Sequence, residues 1–246
     1  NPVDVYVGGD HATRHLIYAR FWHKFLYDIG VVTHIEPFPR LEFLGHILGE
    51  DGTKISKRKG NGAAPEDVVE KVGADTLRTY EMFIGPFEKA VPWSTDGLVG
   101  VRRFLEKVWR IAGTIESGKE STGEVQKMLH KTIKKVSEDI EQFKFNTAVS
   151  QMMILANTIE KEGGIGRDDF ASYIKILAPF APHITDELWH NVLGNTTSVH
   201  LELWPDYNEE MVKDDVITLG VQINGKVRGE ITLAPDADEE TVKKMI

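Results

Sequence analysis

The chain has 246 residues, of which 41% are hydrophobic and 27% are charged, and its net charge is −9. This composition is typical of one large or two ordinary globular domains, and the acidic balance excludes a generally basic nucleic-acid binder. Any contact with nucleic acid must therefore use local basic stripes. The absence of cysteine excludes disulfides and thiolate metal sites within the chain, and no apolar run reaches membrane-spanning length. We expect a cytoplasmic protein without a membrane partner, and the start at Asn1 suggests a piece of a longer polypeptide.

The first predicted elements form the corner of a nucleotide-binding fold. The β-branched and aromatic run 3–7 predicts a strand, which a pair of glycines ends. A helix from about Asp10 to Ile29 follows, and Gly30 is its stop. A strand, a glycine turn and a helix are typical of sites that hold phosphate and ribose in α/β folds. The helix is amphipathic, and its apolar residues near one face are Leu16, Phe21, Phe25 and Ile29.

Four residues at this corner, Gly8, Gly9, Asp10 and His11, are candidates for contact with a nucleotide. The Asp10 carboxylate can accept hydrogen bonds from ribose hydroxyls or cap the helix, and the sequence leaves both open. His11 and His15 have the spacing of a zinc pair, but alanine replaces the glutamate of His-Glu-x-x-His and no third ligand is evident. The histidines therefore predict a nucleotide contact and no metal site.

A cationic loop runs from Lys54 to Asn61, with four cations within six residues and Ser56 between the first two. Gly52 precedes the cations and Gly60 follows them, so the backbone can approach a ligand closely. Such a loop can stabilise the charge that develops when a pyrophosphate leaves. Localisation signals, phosphate contacts and solvated loops have similar compositions, so the loop by itself leaves these alternatives open.

Helices dominate the residues that follow. Pro65 opens one that Gly73 ends, and another is predicted over about 75–84. Residues 95–192 contain four or five amphipathic helices without a strand signal, which predicts a bundle. One of them, over about 125–143, has an apolar stripe on one face and a basic stripe on the other. The basic stripe is either a solvated face or a row of phosphate contacts, and it consists of Lys127, Lys131, Lys134 and Lys135.

The tail predicts a hairpin and a helix. Strand-like runs over 216–223 and 226–233 flank Asn224-Gly225, which is the strongest short signal for a hairpin. A helix is predicted from about Asp236 to Ile246. This unit is too small to be stable alone, so we expect it to be incomplete or to dock elsewhere.

Several stretches, in collinear order, resemble class I aminoacyl-tRNA synthetases. Lys54-Ile55-Ser56-Lys57-Arg58 resembles the Lys-Met-Ser-Lys-Ser loop of that family, with isoleucine for methionine and arginine for the last serine. Residues 177–189 resemble the anticodon-binding bundle shared by the leucyl, isoleucyl, valyl and methionyl enzymes. Stretches similar to leucyl-tRNA synthetases of bacterial type lie at 6–18, 103–109 and 221–228.

This resemblance implies a multidomain, mainly α fold. Residues 1–92 would be the C-terminal half of a Rossmann-like α/β catalytic domain, 93–207 an α-helical anticodon-binding bundle, and 208–246 the start of a small, incomplete α+β C-terminal domain that binds tRNA. The family's His-Ile/Val-Gly-His motif and its editing domain have no counterpart in these residues. We therefore expect a C-terminal portion, or the small subunit of a split enzyme, that is inactive without the larger subunit or N-terminal half carrying that motif.

The resemblance also implies a reaction and its site. Leucine and ATP would form leucyl-adenylate, and the leucyl group would pass to tRNA(Leu), with Mg²⁺ accompanying ATP. The implied catalytic residues, which would stabilise the departing pyrophosphate, are Lys54, Ser56 and Lys57. The implied ATP-binding residues are Gly8, Gly9, Asp10, His11, Lys54 and Lys57. The implied tRNA contacts are Lys127, Lys131, Lys134, Lys135, Lys226 and Arg228.

Two alternatives stay open at this point. The chain could be a tRNA-binding subunit with no chemistry of its own, in which the cationic loop touches RNA. It could also be a portion of an isoleucyl or valyl relative, because the residues that read the amino-acid side chain would lie in the absent half. The similarity of residues 221–228 to leucyl enzymes argues against that second alternative.

Overall fold

A computed structural model describes residues 3–9, 11–56, 58–115, 118–213, 217–223 and 226–233. Its first segment contains short parallel strands and connecting helices. Strand β1 (Val5–Gly8) pairs in parallel with β2 (Arg40–Phe43). Between them lie a π-helix (Thr13–Tyr18) and helix α1 (Ala19–Asp28). The predicted strand and helix are thus present, although the helix begins with a π-helical segment, a form that is often found at functional sites.

The rest of this segment contains a second parallel strand pair, which the sequence did not predict. Strand β3 (Ile47–Leu48) precedes the cationic loop, and helices α2 (Pro65–Val72) and α3 (Ala74–Phe83) follow that loop. Strand β4 (Val91–Pro92) then returns to pair in parallel with β3. The predicted stop at Gly73 is confirmed, because this residue has a φ of 89° and lies between α2 and α3.

The apolar face of α1 is largely uncovered. The helix has the predicted amphipathic pattern, but it contains no buried residue. Phe21 is 74% exposed and Trp22 is 61% exposed. Leu16, Phe25 and Ile29 are also exposed. Contiguous apolar surface of this kind usually marks an interaction site, so α1 presents a face that the described part of the chain does not cover.

Five helices form the predicted bundle within the described residues: α4 (Thr95–Ala112), α5 (Gly123–Glu141), α6 (Phe145–Lys161), α7 (Arg167–Leu177) and α8 (Pro182–Asn191). Two begin with side-chain caps, since the hydroxyl oxygens of Ser94 and Thr122 accept hydrogen bonds from backbone N–H groups of the first turn. The prolines separate α7 from α8 as predicted, because a proline at the first helical position is compatible with a helix start. The bundle is followed by a 3₁₀ turn (Val199–Leu201) and by the short helix α9 (Glu209–Val212).

The core of the bundle consists of the predicted apolar stripes. Val108, Val136, Leu155 and Ile174, from four different helices, have no exposed surface. Removal of such side chains from water is the main favourable contribution to folding. The hydroxyl of the fully buried Tyr173 on α7 donates to the backbone carbonyl of Met152 on α6, at 3.0 Å, which satisfies its polar atom inside the core.

Helix α3 joins the first segment to the bundle. Its buried Thr79 donates a hydrogen bond to the carbonyl of Phe180 at 3.2 Å. Its Asp75 carboxylate contacts Nδ1 of His183 at 2.7 Å and accepts from the backbone N–H of Ile184, also at 2.7 Å, so it caps the start of α8. The packing of this helix therefore helps to set where the cationic loop lies relative to the bundle, together with the hydrogen bond from Thr95 at the start of α4 to Glu50.

The tail contains the predicted hairpin strands. Strands β5 (Ile217–Ile223) and β6 (Lys226–Leu233) pair antiparallel, with a register shift between Val221 and Gln222. The turn residues Asn224 and Gly225 and the predicted helix over 236–246 lie outside the described residues. Among the helices of the described ranges, none combines the length and apolar character needed to cross a membrane.

A charge cluster connects α1 to the chain that follows it, and this cluster predicts a pH dependence. Arg20 donates two hydrogen bonds of 2.8 Å to Glu36, and Lys24 lies 3.1 Å from the same carboxylate. The hydrogen bond from Arg20, followed by that from Lys24, lowers the pKa of Glu36 from 4.5 to about 2. A depressed carboxyl pKa stabilises the folded state above the unfolded pKa, and this contribution is lost as the pH falls through the folded pKa.

We expect the protection of α1 amides from hydrogen exchange, corrected for intrinsic rates, to fall as the pH is lowered from 4.5 towards 2. The Glu36→Gln variant should show lower protection at neutral pH and little further loss in this interval. The effect will be modest because the Arg20 and Glu36 side chains are 41% and 37% exposed. An equal pH dependence in both proteins would contradict this assignment.

Candidate functional site

The two glycines at the end of β1 allow close packing. A Cβ atom on Gly8 would lie 2.6 Å from the ring of His15, and one on Gly9 would lie 2.7 Å from the carbonyl oxygen of Leu44. The backbone N–H of Leu44 in turn donates to the carbonyl of Gly8 at 3.1 Å. A side chain at either position would therefore push the start of the helical segment or the end of β2 away from β1.

The histidines of this corner lie beside one another. The ring centroids of His11 and His15 are 5.7 Å apart, and the ring of His15 also meets that of Tyr6 edge-on at 4.6 Å. His11 is exposed at the surface, whereas His15 is half-buried. Asp10, the other candidate at this corner, lies outside the described residues. Within the described ranges, no group of three potential metal ligands occurs.

The cationic loop begins with a tight turn directly after β3. The backbone N–H of Gly49 donates to the carbonyl of Thr53, and Gly52 has a φ of 70°. The Asp51 carboxylate accepts from the backbone N–H and the hydroxyl of Thr53, both at 2.9 Å. These hydrogen bonds lower the pKa of Asp51, so it stays ionised at neutral pH. Lys54 then forms an isolated antiparallel bridge with Leu48, which fixes the entry of the loop.

Asn61 holds the two sides of the loop together. Its side-chain oxygen accepts a hydrogen bond from the backbone N–H of Ser56 at 3.0 Å, and its amide nitrogen donates to the hydroxyl of Thr53 at 3.0 Å. The backbone N–H of Lys59 donates to the Ser56 hydroxyl at 3.2 Å, and that of Gly60 donates to the Ser56 carbonyl at 3.1 Å. The cations are thus presented by a loop whose backbone is fixed from within.

The cationic side chains lie at the surface of this loop. Lys54, Arg58 and Lys59 are exposed, and Lys59 Nζ donates to the Thr53 hydroxyl at 3.3 Å. Lys57 lies outside the described residues. The glycine corner follows β1 and the cationic loop follows β3, so the two groups of predicted residues belong to separate two-stranded sheets. Both lie at the carboxyl ends of parallel strands, where ligands of α/β folds usually bind.

The lysines of the α5 stripe lie partly against neighbouring side chains, and two of them pair with carboxylates. All four are half-buried. Lys134 pairs with Glu209 of α9 at 3.4 Å and lies 5.4 Å from the centre of the Tyr207 ring. The hydrogen bond that Lys134 donates to Glu209 raises the pKa of Lys134. Lys135 pairs with the buried carboxylate of Asp139.

A cavity of about 440 Å³ lies beside these lysines. Its basic lining residues are Lys131, Lys134 and Lys135, with Gln151 and Val212 among the others. The remaining predicted tRNA contacts lie on β6. Arg228 is exposed there, while the Lys226 side chain lies outside the described part of the chain.

The sequence reasoning did not assign a role to Asp51, Thr53 or Asn61. A partial signal was available, because Asp-Gly is a frequent turn dipeptide and Asp51-Gly52 opens the loop. The role of Asn61 could not be read in this way, since its partners lie five and eight residues away in a segment without regular secondary structure.

Two family models match the chain. The model described as tRNA synthetases class I (I, L, M and V) matches residues 2–94, and the one described as anticodon-binding domain of tRNA ligase matches residues 167–243. The leucine–tRNA ligase of Alkaliphilus oremlandii is 48% identical over 99% of this chain, and that of Chlorobaculum parvum is 49% identical over 92%. The chain spans only 30% and 29% of the lengths of these two relatives.

Solved structures show the same relationship. The Agrobacterium radiobacter K84 agnB2 LeuRS, crystallised as a ternary complex with tRNA and LeuAMS, superposes with a TM-score of 0.79 at 34% identity. The match covers 99% of this chain and 34% of that one. The methionyl-tRNA synthetase of Mycobacterium tuberculosis, bound by methionyl-adenylate, has a TM-score of 0.58 at 14% identity over 79% of this chain and 45% of its own, which shows a shared fold. These findings confirm the resemblance to the leucyl branch.

The hydrogen bonds of Asn61 predict the behaviour of two variants. In Asn61→Ala the Ser56 N–H loses its acceptor, and we expect its protection from hydrogen exchange to fall by about 3- to 10-fold. Asn61→Asp keeps an acceptor oxygen but replaces the amide that contacts Asp51 at 3.4 Å with a second carboxylate, so its Ser56 protection should lie between those of the wild type and Asn61→Ala. Wild-type exchange at Ser56 in the alanine variant would show that Asn61 does not hold the loop.

Proposed function

Since nearly the whole chain is homologous to a segment of leucine–tRNA ligases, we propose that it supplies part of the catalytic site and the tRNA-binding domains of such an enzyme. The reaction is the ATP-dependent formation of leucyl-adenylate, followed by transfer of the leucyl group to tRNA(Leu). The observation that carries this proposal is the 48% identity over 99% of the chain, which includes the cationic loop. The structural match to a LeuRS along the same residues supports it.

The cationic loop has the chemistry that leucyl-adenylate formation needs. The leucine carboxylate attacks the α-phosphate of ATP, so the protein supplies no nucleophile, and the negative charge that develops is on the departing pyrophosphate. Lys57 and Lys54 stabilise this charge, and Ser56 contributes a hydroxyl beside them. Because the Asp51 and Asn61 hydrogen bonds fix the backbone at Thr53 and Ser56, Lys54 between them needs little rearrangement when ATP binds.

The glycine corner holds the nucleoside side of ATP. Gly8 and Gly9 leave the end of β1 without side chains, while Asp10 accepts hydrogen bonds from the ribose hydroxyls and His11 lies beside the phosphates. Mg²⁺ would accompany ATP as part of the substrate and would offset the negative charge of its phosphates. The metal needs no cage of protein ligands for this role, because Mg²⁺ usually keeps several waters and substrate phosphates as its ligands.

The activity requires a further portion of the enzyme. The chain spans about a third or less of its relatives, and the His-Ile/Val-Gly-His motif is absent from its sequence. The exposed apolar face of α1, with Phe21 and Trp22, is the surface against which we place that portion. Burial of these side chains would complete the α/β layer around β1, and a complete ATP site would form only then.

The tRNA contacts lie on the bundle and the hairpin. Lys131, Lys134 and Lys135 line one cavity on α5, and Arg228 is exposed on β6. Clustered cations that reach phosphates give affinity without reading sequence, whereas the acidic whole chain repels nucleic acid elsewhere. We infer that RNA reaches the lysines by displacing Glu209 from Lys134, since a phosphate and a carboxylate compete for the same ammonium group.

The pyrophosphate assignment predicts the effect of Lys57→Ala in the reconstituted enzyme. When this chain is combined with the remaining portion of a relative, ATP–pyrophosphate exchange should appear, and Lys57→Ala should lower kcat by about 10²- to 10³-fold with little change in the KM for leucine. Lys71→Ala, which removes an exposed cation at the end of α2, is the matched control and should retain full exchange.

Exchange at the wild-type rate in Lys57→Ala would reject this role. If that variant instead retained exchange and lost only affinity for tRNA, the chain would be an RNA-binding subunit whose loop contacts RNA. The isolated chain should show no exchange, and measurable exchange by the purified chain alone would contradict the need for a further portion.

The lysine cavity predicts a salt-dependent effect on RNA binding. Lys131→Gln should weaken the affinity for a tRNA(Leu) transcript and reduce the slope of log K against log salt concentration by about one. Lys161→Gln, at a side chain that is 81% exposed at the end of α6, is the control and should leave the slope unchanged. An unchanged slope for Lys131→Gln would identify the lysine stripe as a structural feature of the bundle.

A further inference from the structure

A second cavity lies between the connecting helices and the bundle, apart from the residues of the proposed ATP site and the lysine stripe. It measures about 480 Å³, which is within the usual range of ligand pockets. One wall is a face of α4 that includes Arg102, Glu106 and Trp109. The opposite wall comes from the start of α3, with Asp75, and the start of α8, with His183. We call this space the Trp109 cleft.

The indole of Trp109 is the largest apolar group of this cleft, and it is 50% exposed. Leu105, one turn earlier on the same face of α4, is 4% exposed and packs into the bundle core. On this face of α4 the leucine side chain is thus buried, whereas the tryptophan ring one turn later stays half-exposed in the cleft. A half-exposed aromatic ring in a concave site is a platform on which a planar ligand can stack.

The polar walls of the Trp109 cleft are already held in place. Arg102 donates to the carbonyl of Val72 at 2.9 Å and to the carboxylate of Glu106 at 2.8 Å. Asp75 is fixed by the 2.7 Å contact with His183 that also joins α3 to α8. Because these groups are ordered by the fold, a ligand would bind them with little additional loss of side-chain entropy.

The charged side chains of the cleft disfavour the binding of a phosphate and are compatible with a nucleobase. Two carboxylates, Asp75 and Glu106, face a single guanidinium, so an anion inside the cleft would meet net repulsion. A nucleobase offers a flat face for Trp109 and an edge with both donors and acceptors for Glu106, Arg102 and His183. Its phosphate would stay outside the cleft.

From these features we propose that the Trp109 cleft receives one unstacked nucleobase of the bound tRNA. The inference rests on the proposed function, because it names a tRNA contact of the same enzyme. Stacking of an unpaired base on an aromatic side chain is the common way in which proteins recognise non-helical parts of RNA. The cleft would thereby fix tRNA at the junction through which α3 connects the cationic loop to the bundle.

Two measurements on the full chain test this proposal, with a tRNA(Leu) transcript as the probe. In the first, the affinity for the transcript is measured for Trp109→Ala, Trp109→Phe and the wild type. Trp109→Ala should lose roughly 5- to 150-fold, the range found when a stacking aromatic is removed, and Trp109→Phe should lose less because it keeps a flat ring. Trp204→Ala is the control, since Trp204 is 40% exposed outside the cleft, and it should bind as the wild type does.

In the second, the chain is labelled with 5-fluorotryptophan, and the resonance of Trp109 is identified by its absence in Trp109→Phe. Addition of the transcript should move this resonance more than that of Trp204. Wild-type affinity in Trp109→Ala, or a Trp109 resonance that RNA leaves in place, would overturn the proposal even where the reconstituted enzyme is active. A shift caused only by the remaining portion of the enzyme would assign the cleft to a protein contact, and no RNA binding by the wild type would overturn the tRNA-binding role as well.

Discussion

The packing of α3 is the constraint on which the arrangement of the molecule depends. Its Tyr80 is almost completely buried, its Thr79 donates a hydrogen bond inside the interface, and its Asp75 caps α8. A buried hydroxyl or carboxylate without its partner costs more than the hydrogen bond itself contributes. Small displacements of α3 relative to α8 are therefore disfavoured, and the cationic loop is held in a fixed position relative to the bundle.

Helix α3 contacts residues that belong to, or lead to, both the cationic loop and the Trp109 cleft. Tyr80 accepts a hydrogen bond from the N–H of Ser94, the residue that caps α4, and α4 presents Trp109 about four turns later. Asp75 lies in the wall of the Trp109 cleft and also fixes the start of α8. A tRNA base in this cleft would thus contact Asp75 and His183, which join α3 to α8. Helix α3 in turn lies next to the segment that carries the cationic loop.

The stability of the chain is unevenly distributed. The bundle buries apolar side chains from all five of its helices, whereas α1 buries none and depends on contacts such as the one between Arg20 and Glu36. Exposed ion pairs contribute little to the free energy of folding, so α1 is less stabilised by its own contacts than the helices of the bundle are. The chain spans about 30% of the length of the leucine–tRNA ligase of Alkaliphilus oremlandii.

The sequence by itself predicted most of the described helices, some of their ends and the resemblance to the family. Gly73 and Pro182 act through local backbone geometry, and the apolar stripes of the bundle repeat at helical spacing, so neither needed information from distant residues. The long-range contacts were decided only by the tertiary structure. The pairing of Lys134 with Glu209 joins residues 75 positions apart, and the Asp75 contact with His183 spans 108. Periodicity shows that α1 has an apolar face but not whether anything covers it, because burial depends on neighbours that only the folded chain brings together.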